Sequence, residues 1–312
     1  MNIFITGIGG FIGTALAKAH RNAGDRVVGL IRSSKDYNYA LHSVEERFIG
    51  DITEYDHLCD IISSREIDRI YHLAACSIVR VCAQDPLTAY RTNALGTATI
   101  LEAARNVGTV KSIVCASSDK AYGDSEAPYV EGLTPLDPSN TYDTSKACGD
   151  MIARAYAKNY NMPIVVTRAC NVYGPGDPNQ SRLIPNTIQR LLNNQAPQIY
   201  SDVSSMVREF VYIDDVVRAY RLLGDYNGLG SLCSRAFNIA GSGPVVIGAL
   251  VEQLIDIVGV DIVPEVIKRD SKFKEIKAQW LSNKNTFVET NYKPEIGLRE
   301  GLEKTVAWYR GL

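Results

Sequence analysis

The chain begins with Asn2-Ile3-Phe4-Ile5-Thr6-Gly7-Ile8-Gly9-Gly10-Phe11-Ile12-Gly13, an apolar run that leads into closely spaced glycines. Residues 2–6 have the apolar character of a buried parallel strand, and residues 14–22 follow with a helical pattern. Glycines at such a turn let the backbone approach a pyrophosphate, while the N-terminus of the next helix offers unpaired N–H groups. The stretch therefore predicts a dinucleotide-binding turn rather than a purely structural one, with contacts from Gly7, Gly10, Phe11, Ile12 and Gly13.

Strand-like and helix-like segments alternate through the first half of the chain, which is typical of a parallel, doubly wound sheet. The predicted strands are Asn2–Thr6, Arg26–Ile31, Arg69–Leu73, Lys111–Ala116 and Pro163–Arg168. Long helices are predicted at Leu87–Asn106 and Thr141–Tyr160, and Val207–Leu223 is predicted to be a strand and helix that return to the sheet. The predicted fold class is α/β, a Rossmann-like doubly wound parallel sheet with a smaller C-terminal substrate-binding lobe. Residues 1–178 with 207–240 form the predicted NAD(P)-binding domain, and residues 179–206 with 241–312 form the predicted lobe.

The composition argues against several classes of protein and partner. The 312 residues carry a formal net charge of −2 without a run of like charge, so neither nucleic acid nor an anionic membrane surface is an expected partner. The sequence shows no signal peptide, and no apolar stretch approaches the roughly 20 residues that span a bilayer. Seven scattered cysteines, and four histidines confined to the first quarter, do not support a disulfide framework, a metal site or a Ser-His-Asp hydrolase. We therefore expect a cytoplasmic protein without a bound metal.

The end of the second predicted strand indicates which dinucleotide is bound. NAD sites usually place a carboxylate there to hold the ribose hydroxyls, but this chain has Ile31-Arg32-Ser33-Ser34. An arginine and two hydroxyls suit a 2′-phosphate, so NADP is favoured over NAD, unless Arg32 is only a solvated loop residue. Asp51 and Ile52, after a short strand, are predicted to contact the adenine.

A tyrosine and a lysine, Tyr142 and Lys146, lie four residues apart on one face of the predicted helix Thr141–Tyr160. Tyrosine is a poor base because its pKa is about 10, and an ammonium group one helical turn away is expected to lower that pKa. Ser118, which follows an apolar strand, is placed to hydrogen-bond the same substrate hydroxyl. The three residues predict removal of a proton from an alcohol whose carbon gives hydride to a nicotinamide.

Four further motifs accompany the glycine turn and the Tyr-Lys pair. They are His-Leu-Ala-Ala at residues 72–75, Thr-Asn-Ala-Leu-Gly-Thr at 92–97, Arg-Ala-Cys-Asn-Val-Tyr-Gly-Pro at 168–175 and Arg-Glu-Phe-Val-Tyr-Ile-Asp-Asp-Val at 208–216. Over nearly its whole length the chain resembles the extended short-chain dehydrogenase/reductase family, the nucleotide-sugar epimerases and dehydratases. The resemblance implies a nucleotide-diphosphate sugar as substrate and a homodimer formed through the two long helices.

The resemblance also implies particular contacts. The implied cofactor contacts, besides the glycine turn, Tyr142 and Lys146, are Leu73, Ala74, Ala75 and Asn93. The implied substrate contacts are Arg80, Asn171, Arg182, Leu183 and Arg208, the last of these on the diphosphate.

The run Ser118-Asp119-Lys120 distinguishes between members of that family. In its 4,6-dehydratases, the hydroxyl residue is followed by an acid–base pair, usually Asp-Glu, that removes water across C5 and C6. Lysine in the second position is similar to the CDP-glucose 4,6-dehydratases, whereas residues 29–34 are similar to the GDP-mannose 4,6-dehydratases, which use NADP.

The resemblance therefore implies a 4,6-dehydratase that oxidises C4 transiently with a tightly bound, recycled cofactor. Lys120 or Asp119 would take the C5 proton, and Asp119 would protonate the departing hydroxyl. The alternatives are an epimerase in which Asp119 and Lys120 form an ion pair, a ketosugar reductase, a 5,6-dehydratase and a non-catalytic dinucleotide sensor.

Overall fold

The structure is a computed structural model that describes residues 1–33, 44, 46–201, 203–225, 235–268 and 276–311. Its strands are β1 (Asn2–Thr6), β2 (Arg26–Ile31), β3 (Glu46–Ile49), β4 (Arg69–His72), β5 (Ser112–Ala116), β6 (Ile164–Ala169), β7 (Asn171–Tyr173), β8 (Gln198–Tyr200), β9 (Val207–Tyr212), β10 (Ala236–Ile239), β11 (Pro244–Val246), β12 (Glu265–Ile267) and β13 (Ala278–Gln279). Its α-helices are α1 (Phe11–Asn22), α2 (Tyr55–Ser64), α3 (Val79–Gln84), α4 (Pro86–Tyr90), α5 (Gly96–Val107), α6 (Thr141–Tyr160), α7 (Leu183–Leu192), α8 (Ile213–Asp225), α9 (Ile247–Val258), α10 (Lys284–Thr290) and α11 (Leu298–Tyr309).

Seven strands form one parallel sheet in the spatial order β10-β6-β5-β4-β1-β2-β3. The strand order reverses beside β1, which pairs with β2 on one side and with β4 on the other. In open α/β sheets, ligands bind at such a reversal, outside the carboxyl ends of the strands. The predicted fold class is confirmed, and the glycine turn after β1 lies at the ligand-binding edge of the sheet.

Both faces of this sheet are covered by helices. Ile3 and Ile5 of β1 are fully buried in a core that includes residues of α1 and α8. Phe4, which points to the opposite face, is fully buried with residues of α2, α5 and α6. Burying a side chain of this size contributes about 1.5–3 kcal/mol, so the alternation of β1 fixes the strand between two helical layers.

The later part of the chain forms two smaller sheets, one of β7, β9, β11 and β13 and one of β8 and β12. The expectation that the strand at residues 207–212 returns to the main sheet is wrong, because β9 pairs with β7, β11 and β13. The seventh strand of the main sheet is β10, whereas α8, which follows β9, does pack against α1. An apolar strand pattern does not identify the partner strand, so the sequence did not distinguish these arrangements. The division into residues 1–178 with 207–240 and 179–206 with 241–312 stays a prediction.

Helix α6 has the bounds that the sequence predicts. The side chain of its N-cap, Asn140, accepts a hydrogen bond from Asp143 N at 3.0 Å, and Asn161 ends the helix in the left-handed conformation. The helix predicted at Leu87–Asn106 is instead divided into α4, a π-helical turn at Arg91–Leu95 and α5. Within the described part of the chain, no helix has both the length and the apolar character that crossing a bilayer requires.

Candidate active site

The turn after β1 packs tightly against the segment after β4. Gly7 has φ 71°, and a Cβ at this residue would lie 2.8 Å from the backbone nitrogen of Ala74. A Cβ on Gly13 would lie 2.4 Å from the carbonyl oxygen of Gly7, because the first turn of α1 sits directly on the loop. Only glycine fits at these two positions, which bring the N-terminus of α1 to the point where the strand order reverses.

The N-terminus of α1 carries donors suited to a pyrophosphate. Its N-cap, Gly10, makes no side-chain hydrogen bond, and its first turn contains no acidic residue. Within the residues described, no side chain caps the first N–H groups of the helix, and Gly10, Phe11, Ile12 and Gly13 all line a large cleft. These residues fit the diphosphate of a dinucleotide.

The predicted ribose and adenine contacts follow the next two strands. Arg32 is exposed at the end of β2 and lines the same cleft, as do Asp51 and Ile52 after β3. Ser33 is not among the residues that line the cleft, and Ser34 lies outside the described residues. Of the groups proposed to bind a 2′-phosphate, the structure therefore places Arg32 in the cleft.

Residues 73–75, which follow β4, line the cleft, whereas Asn93 lies behind its wall. Asn93 is buried, accepts a hydrogen bond from Cys76 N at 2.8 Å and donates to Cys76 O at 3.0 Å. It also donates to Ser145 Oγ at 2.8 Å. The amide thus fastens the segment after β4 to α6, and its predicted contact with the cofactor stays a prediction.

The carboxyl end of β5 and the first turns of α6 meet beside this wall. Ser118 follows β5, and Tyr142 and Lys146 line the cleft next to it from α6. The Lys146 ammonium donates to Ala116 O, the last carbonyl of β5, at 2.6 Å. The Ser118 side chain lies near enough to the Tyr142 phenol to favour its ionised form. The structure therefore brings the three residues predicted for oxidation into one place.

Burial has opposite effects on the two residues of α6. Burial raises the pKa of the Tyr142 phenol. The nearby Ser118 side chain opposes this rise, and the negative charge of Asp119 adds to it. Burial lowers the pKa of Lys146 from 10.5 to about 8. The expectation that the Tyr142 pKa is lowered is therefore wrong for this structure, because burial is the largest influence on the phenol.

Asp119 and Lys120 begin the short 3-10 turn after Ser118 and also line the cleft. Asp119 is buried; its Oδ1 accepts a hydrogen bond from Ser118 Oγ at 3.1 Å, and its Oδ2 lies 3.6 Å from Lys120 Nζ. Lys120 Nζ donates to the side-chain oxygen of Gln279 on β13. The sequence analysis missed Gln279, since β13 has two residues and the contact spans 159 positions of the chain.

The opposite side of the cleft is formed by the smaller sheets and α7. All the residues predicted to bind substrate line the cleft, namely Arg80 on α3 together with Asn171, Arg182, Leu183 and Arg208. Arg182 pairs with both carboxylate oxygens of Asp177 at 2.9 Å, and the Asn171 amide donates to Glu209 O at 2.9 Å. The cleft of about 3420 Å³ is several times larger than the roughly 300–1,000 Å³ of a small-molecule site, so it has room for a dinucleotide and a second ligand.

Comparison with known sequences agrees with this geometry. The sequence model of the NAD dependent epimerase/dehydratase family matches residues 3–240, well over half of the chain. The chain belongs to this family.

Dehydratases and epimerases of the family are both similar to the chain. The dTDP-glucose 4,6-dehydratase of Streptomyces griseus is 30% identical over 315 residues, which cover 99% of this chain and 94% of the relative. The structure of the Streptomyces venezuelae dTDP-glucose 4,6-dehydratase with NAD has a TM-score of 0.88 at 30% identity and covers 100% of this chain and 97% of that one. A variant of the Bacillus cereus UDP-glucuronic acid 4-epimerase, solved with NAD and UDP-4-deoxy-4-fluoro-glucuronic acid, has a TM-score of 0.89 at 26% identity, with coverage of 100% and 99%. This chain is accordingly an enzyme of the nucleotide-sugar epimerase/dehydratase family, whose members use a nicotinamide cofactor.

Proposed function

We propose that this epimerase/dehydratase-family enzyme is a nucleotide-sugar 4,6-dehydratase, which converts an NDP-hexose into an NDP-4-keto-6-deoxyhexose. One observation carries the proposal. Asp119 and Lys120 line the cleft directly after Ser118, beside Tyr142 and Lys146, so an additional acid–base pair accompanies the residues suited to oxidation. Oxidation alone does not require that pair, whereas loss of water requires both a base and an acid.

The oxidation step uses the residues on β5 and α6. Ser118 binds the C4 hydroxyl, and Tyr142 removes its proton. Lys146 is protonated below a pKa of about 8 and supplies a positive charge on the same face of α6, which favours the phenolate. The glycine turn of residues 7–13 would hold the NAD(P) diphosphate, and the bound cofactor supplies a hydride acceptor for C4 and later a hydride donor.

Elimination uses the pair at residues 119 and 120. A ketone at C4 acidifies the C5 proton, which Lys120 takes as a free amine. The C5–C6 double bond forms as the C6–O bond breaks, and Asp119 gives its proton to the departing hydroxyl, which leaves as water. The step ends with Lys120 protonated and Asp119 ionised, which are the charges of an ion pair. C6 would then take back the hydride from the bound cofactor while Lys120 returns a proton to C5, which gives the 4-keto-6-deoxyhexose. The 3.6 Å separation between Lys120 Nζ and Asp119 Oδ2 supports this exchange of roles.

A C4 epimerase is the second candidate. The observation in its favour is the same contact, since an Asp119–Lys120 ion pair would also rigidify the turn after β5 without taking part in chemistry. The similarity to a UDP-glucuronic acid 4-epimerase agrees with this alternative.

A panel of nucleotide sugars separates the two candidates. The purified enzyme is incubated with dTDP-, UDP-, CDP- and GDP-hexoses, and the products are analysed by mass spectrometry, which reports loss of water, and by proton NMR, which reports epimerisation. The dehydratase proposal expects one of them to lose the mass of one water. If none does and one is epimerised without a change in mass, the dehydratase proposal is wrong.

We also propose NADP as the preferred cofactor. Arg32 is exposed after β2 and lines the cleft next to Ile31, which occupies the position where an acid would bind the ribose hydroxyls of NAD. Similar enzymes have been solved with NAD, so mass spectrometry of the nucleotide that co-purifies with the protein decides the question. Recovery of NAD alone would contradict the preference.

We further propose a homodimer formed through α4, α5 and α6. Leu87 on α4, Leu95 at the end of the π-helical turn before α5, and Met151 on α6 are 82%, 54% and 57% exposed. Ile100 and Leu101 of α5 are fully buried, so they belong to the core and not to this surface. Covering the exposed apolar side chains with a second copy would remove them from water.

A further inference from the structure

The amide of Gln279 contacts both members of the Asp119–Lys120 pair. Gln279 is 1% exposed and lies on β13, in register with Arg208 of β9. Its oxygen accepts a hydrogen bond from Lys120 Nζ, and its nitrogen donates to the backbone oxygen of Asp119 at 3.3 Å. The Gln279 side chain therefore fixes both the backbone of Asp119 and the side chain of Lys120.

This arrangement keeps Lys120 from closing on Asp119. The distance of 3.6 Å between Lys120 Nζ and Asp119 Oδ2 exceeds the roughly 2.8 Å of a charge-assisted hydrogen bond. Within the described part of the chain, the buried Oδ2 has no hydrogen-bond partner. Without the amide oxygen, the ammonium would gain most by moving onto Oδ2, because a buried carboxylate oxygen is costly to leave unsatisfied.

We propose that Gln279 is a positioning residue for the loss of water. By holding Lys120 Nζ it keeps Asp119 Oδ2 available to the departing C6 hydroxyl, and it aims the lysine amine at C5. This inference rests on the proposed 4,6-dehydratase activity.

The test separates oxidation from elimination in the variant Gln279→Leu, assayed with its bound cofactor and the accepted NDP-hexose. Absorbance of the reduced nicotinamide reports C4 oxidation, and formation of the 4-keto-6-deoxy product reports the complete reaction. We expect oxidation at the wild-type rate, accumulation of reduced cofactor and a loss of product formation of at least about tenfold. In a Lys120→Met background, Gln279→Leu should cause no further loss, because Gln279 acts only through Lys120.

Two controls keep the result interpretable. Gln279→Glu retains an acceptor for Lys120 and should restore elimination relative to Gln279→Leu, and the exposed Gln198→Leu should behave as wild type. The proposal is overturned if oxidation and elimination fall together in Gln279→Leu while its thermal unfolding is unchanged, or if neither falls. A wild-type enzyme that dehydrates no nucleotide sugar would instead overturn the proposed function itself.

A second inference rests on a different observation, the contact between Cys76 and Cys82. Their sulfur atoms lie 3.1 Å apart, and both thiols are free. A disulfide requires about 2.05 Å, so a displacement of about 1 Å would complete the bond. Cys76 lines the cleft, whereas Cys82 is fully buried on α3. Arg80 lies between the two cysteines in the sequence and is on the same helix as Cys82.

We infer that Cys76 and Cys82 form a thiol–disulfide switch in the cleft wall. A peroxide entering through the cleft oxidises the Cys76 thiol to a sulfenic acid and is reduced to water. The Cys82 sulfur then attacks the Cys76 sulfur, the S–S bond forms and a second water leaves, so two electrons pass to the peroxide. The Asn93 side chain hydrogen-bonds both the backbone N–H and the backbone carbonyl of Cys76. Because Cys76 is held in this way, formation of the disulfide moves α3 and with it Arg80.

Peroxide treatment of the holoenzyme tests this inference. We expect the peptide mass of the cross-linked segment to fall by two hydrogens, with a loss of turnover of any accepted nucleotide sugar that dithiothreitol reverses. Cys82→Ser should keep its turnover under the same treatment. Absence of the disulfide, or a disulfide that leaves turnover unchanged, would show that the pair is not a switch.

Discussion

Burial controls the proton affinity of Tyr142 and Lys146, two of the α6 residues that line the cleft. It raises the pKa of Tyr142 and lowers that of Lys146 to about 8. Among the residues that the structure describes, the buried Lys146 ammonium donates to one carbonyl, Ala116 O, at 2.6 Å, and to no carboxylate. The charge of Lys146 is therefore retained at a cost to stability that a functional role explains.

This cost predicts how stability depends on pH. Between a folded pKa of about 8 and the ordinary 10.5, the unfolded chain binds a proton at Lys146 that the folded chain does not. The free energy of unfolding of the wild type should therefore rise with pH across this window relative to Lys146→Met, by on the order of 1–3 kcal/mol. Urea unfolding of both proteins at a series of pH values measures the difference. Lys158→Met, which removes an exposed lysine of the same helix, is the control, and a difference between wild type and Lys146→Met that does not vary with pH would contradict the prediction.

The variant Asp119→Asn separates oxidation from loss of water. It keeps the shape of the side chain but has no proton to give to the departing hydroxyl, so formation of the 4-keto-6-deoxy product should fall by about 10²–10⁴-fold. Reduced nicotinamide should still form, because Ser118, Tyr142 and Lys146 are intact. Asp124→Asn, which changes an exposed acid nearby, serves as the control. Unchanged turnover in Asp119→Asn would favour the epimerase.

Site residues that belong to short local motifs were predictable from the sequence, and those that depend on distant pairing were not. Ser118, Tyr142 and Lys146 are recognised because strand end and helix face can be read locally. Gln279 reaches the same site only because β13 pairs with β9, a contact that leaves no local pattern.

At the level of elements, the close packing of α1 on the glycine turn makes a sharp prediction. Gly13→Ala would place a Cβ 2.4 Å from Gly7 O, so the helix and the turn must separate. We expect a loss of about 1–3 kcal/mol in stability, together with weaker cofactor binding. Thermal unfolding and a cofactor titration measure the two effects. Gly297→Ala, where a Cβ meets no atom within 4 Å, should leave cofactor affinity unchanged, and equal affinities in both variants would be evidence against the assigned role of the turn.

The apolar surface of α4, α5 and α6 predicts the oligomeric state. The wild type should have the mass of a dimer by light scattering after size-exclusion chromatography, and Leu95→Glu should shift it to a monomer because a charge cannot be buried unpaired. Val288→Glu, at a residue that is 69% exposed on α10, should remain dimeric. A monomeric wild type, or a dimeric Leu95→Glu, would contradict the proposed interface.

Elements were predictable where their ends carry local signals. Helix α6 begins after the Asn140 cap and ends at Asn161, and both bounds were predicted. The helix at Leu87–Asn106 was predicted as continuous because its composition does not reveal the π-helical turn at Arg91–Leu95. That turn carries Asn93, whose hydrogen bonds to Cys76 and Ser145 are tertiary contacts.

For the whole molecule, the parallel, doubly wound class of the main sheet follows from alternating strands and helices, whereas the strand pairing of the second sheet does not. β9 joins β7, β11 and β13 rather than β10, and this brings Arg208 and Gln279 to the cleft opposite the glycine turn. The cleft therefore depends on pairing between segments that are far apart in the sequence, and no local sequence pattern identifies which segments pair. The substrate side of the site is for this reason the part that sequence reasoning located least well.

Reaction in heavy water with the nucleotide hexose that the enzyme accepts tests the proposed dehydration most directly. Elimination across C5 and C6 exchanges the C5 proton with groups that equilibrate with solvent, so the product is analysed by mass spectrometry and proton NMR. The account predicts an NDP-4-keto-6-deoxyhexose that has lost one water and carries deuterium at C5. A product inverted at C4, with no loss of water and no deuterium at C5, would contradict it.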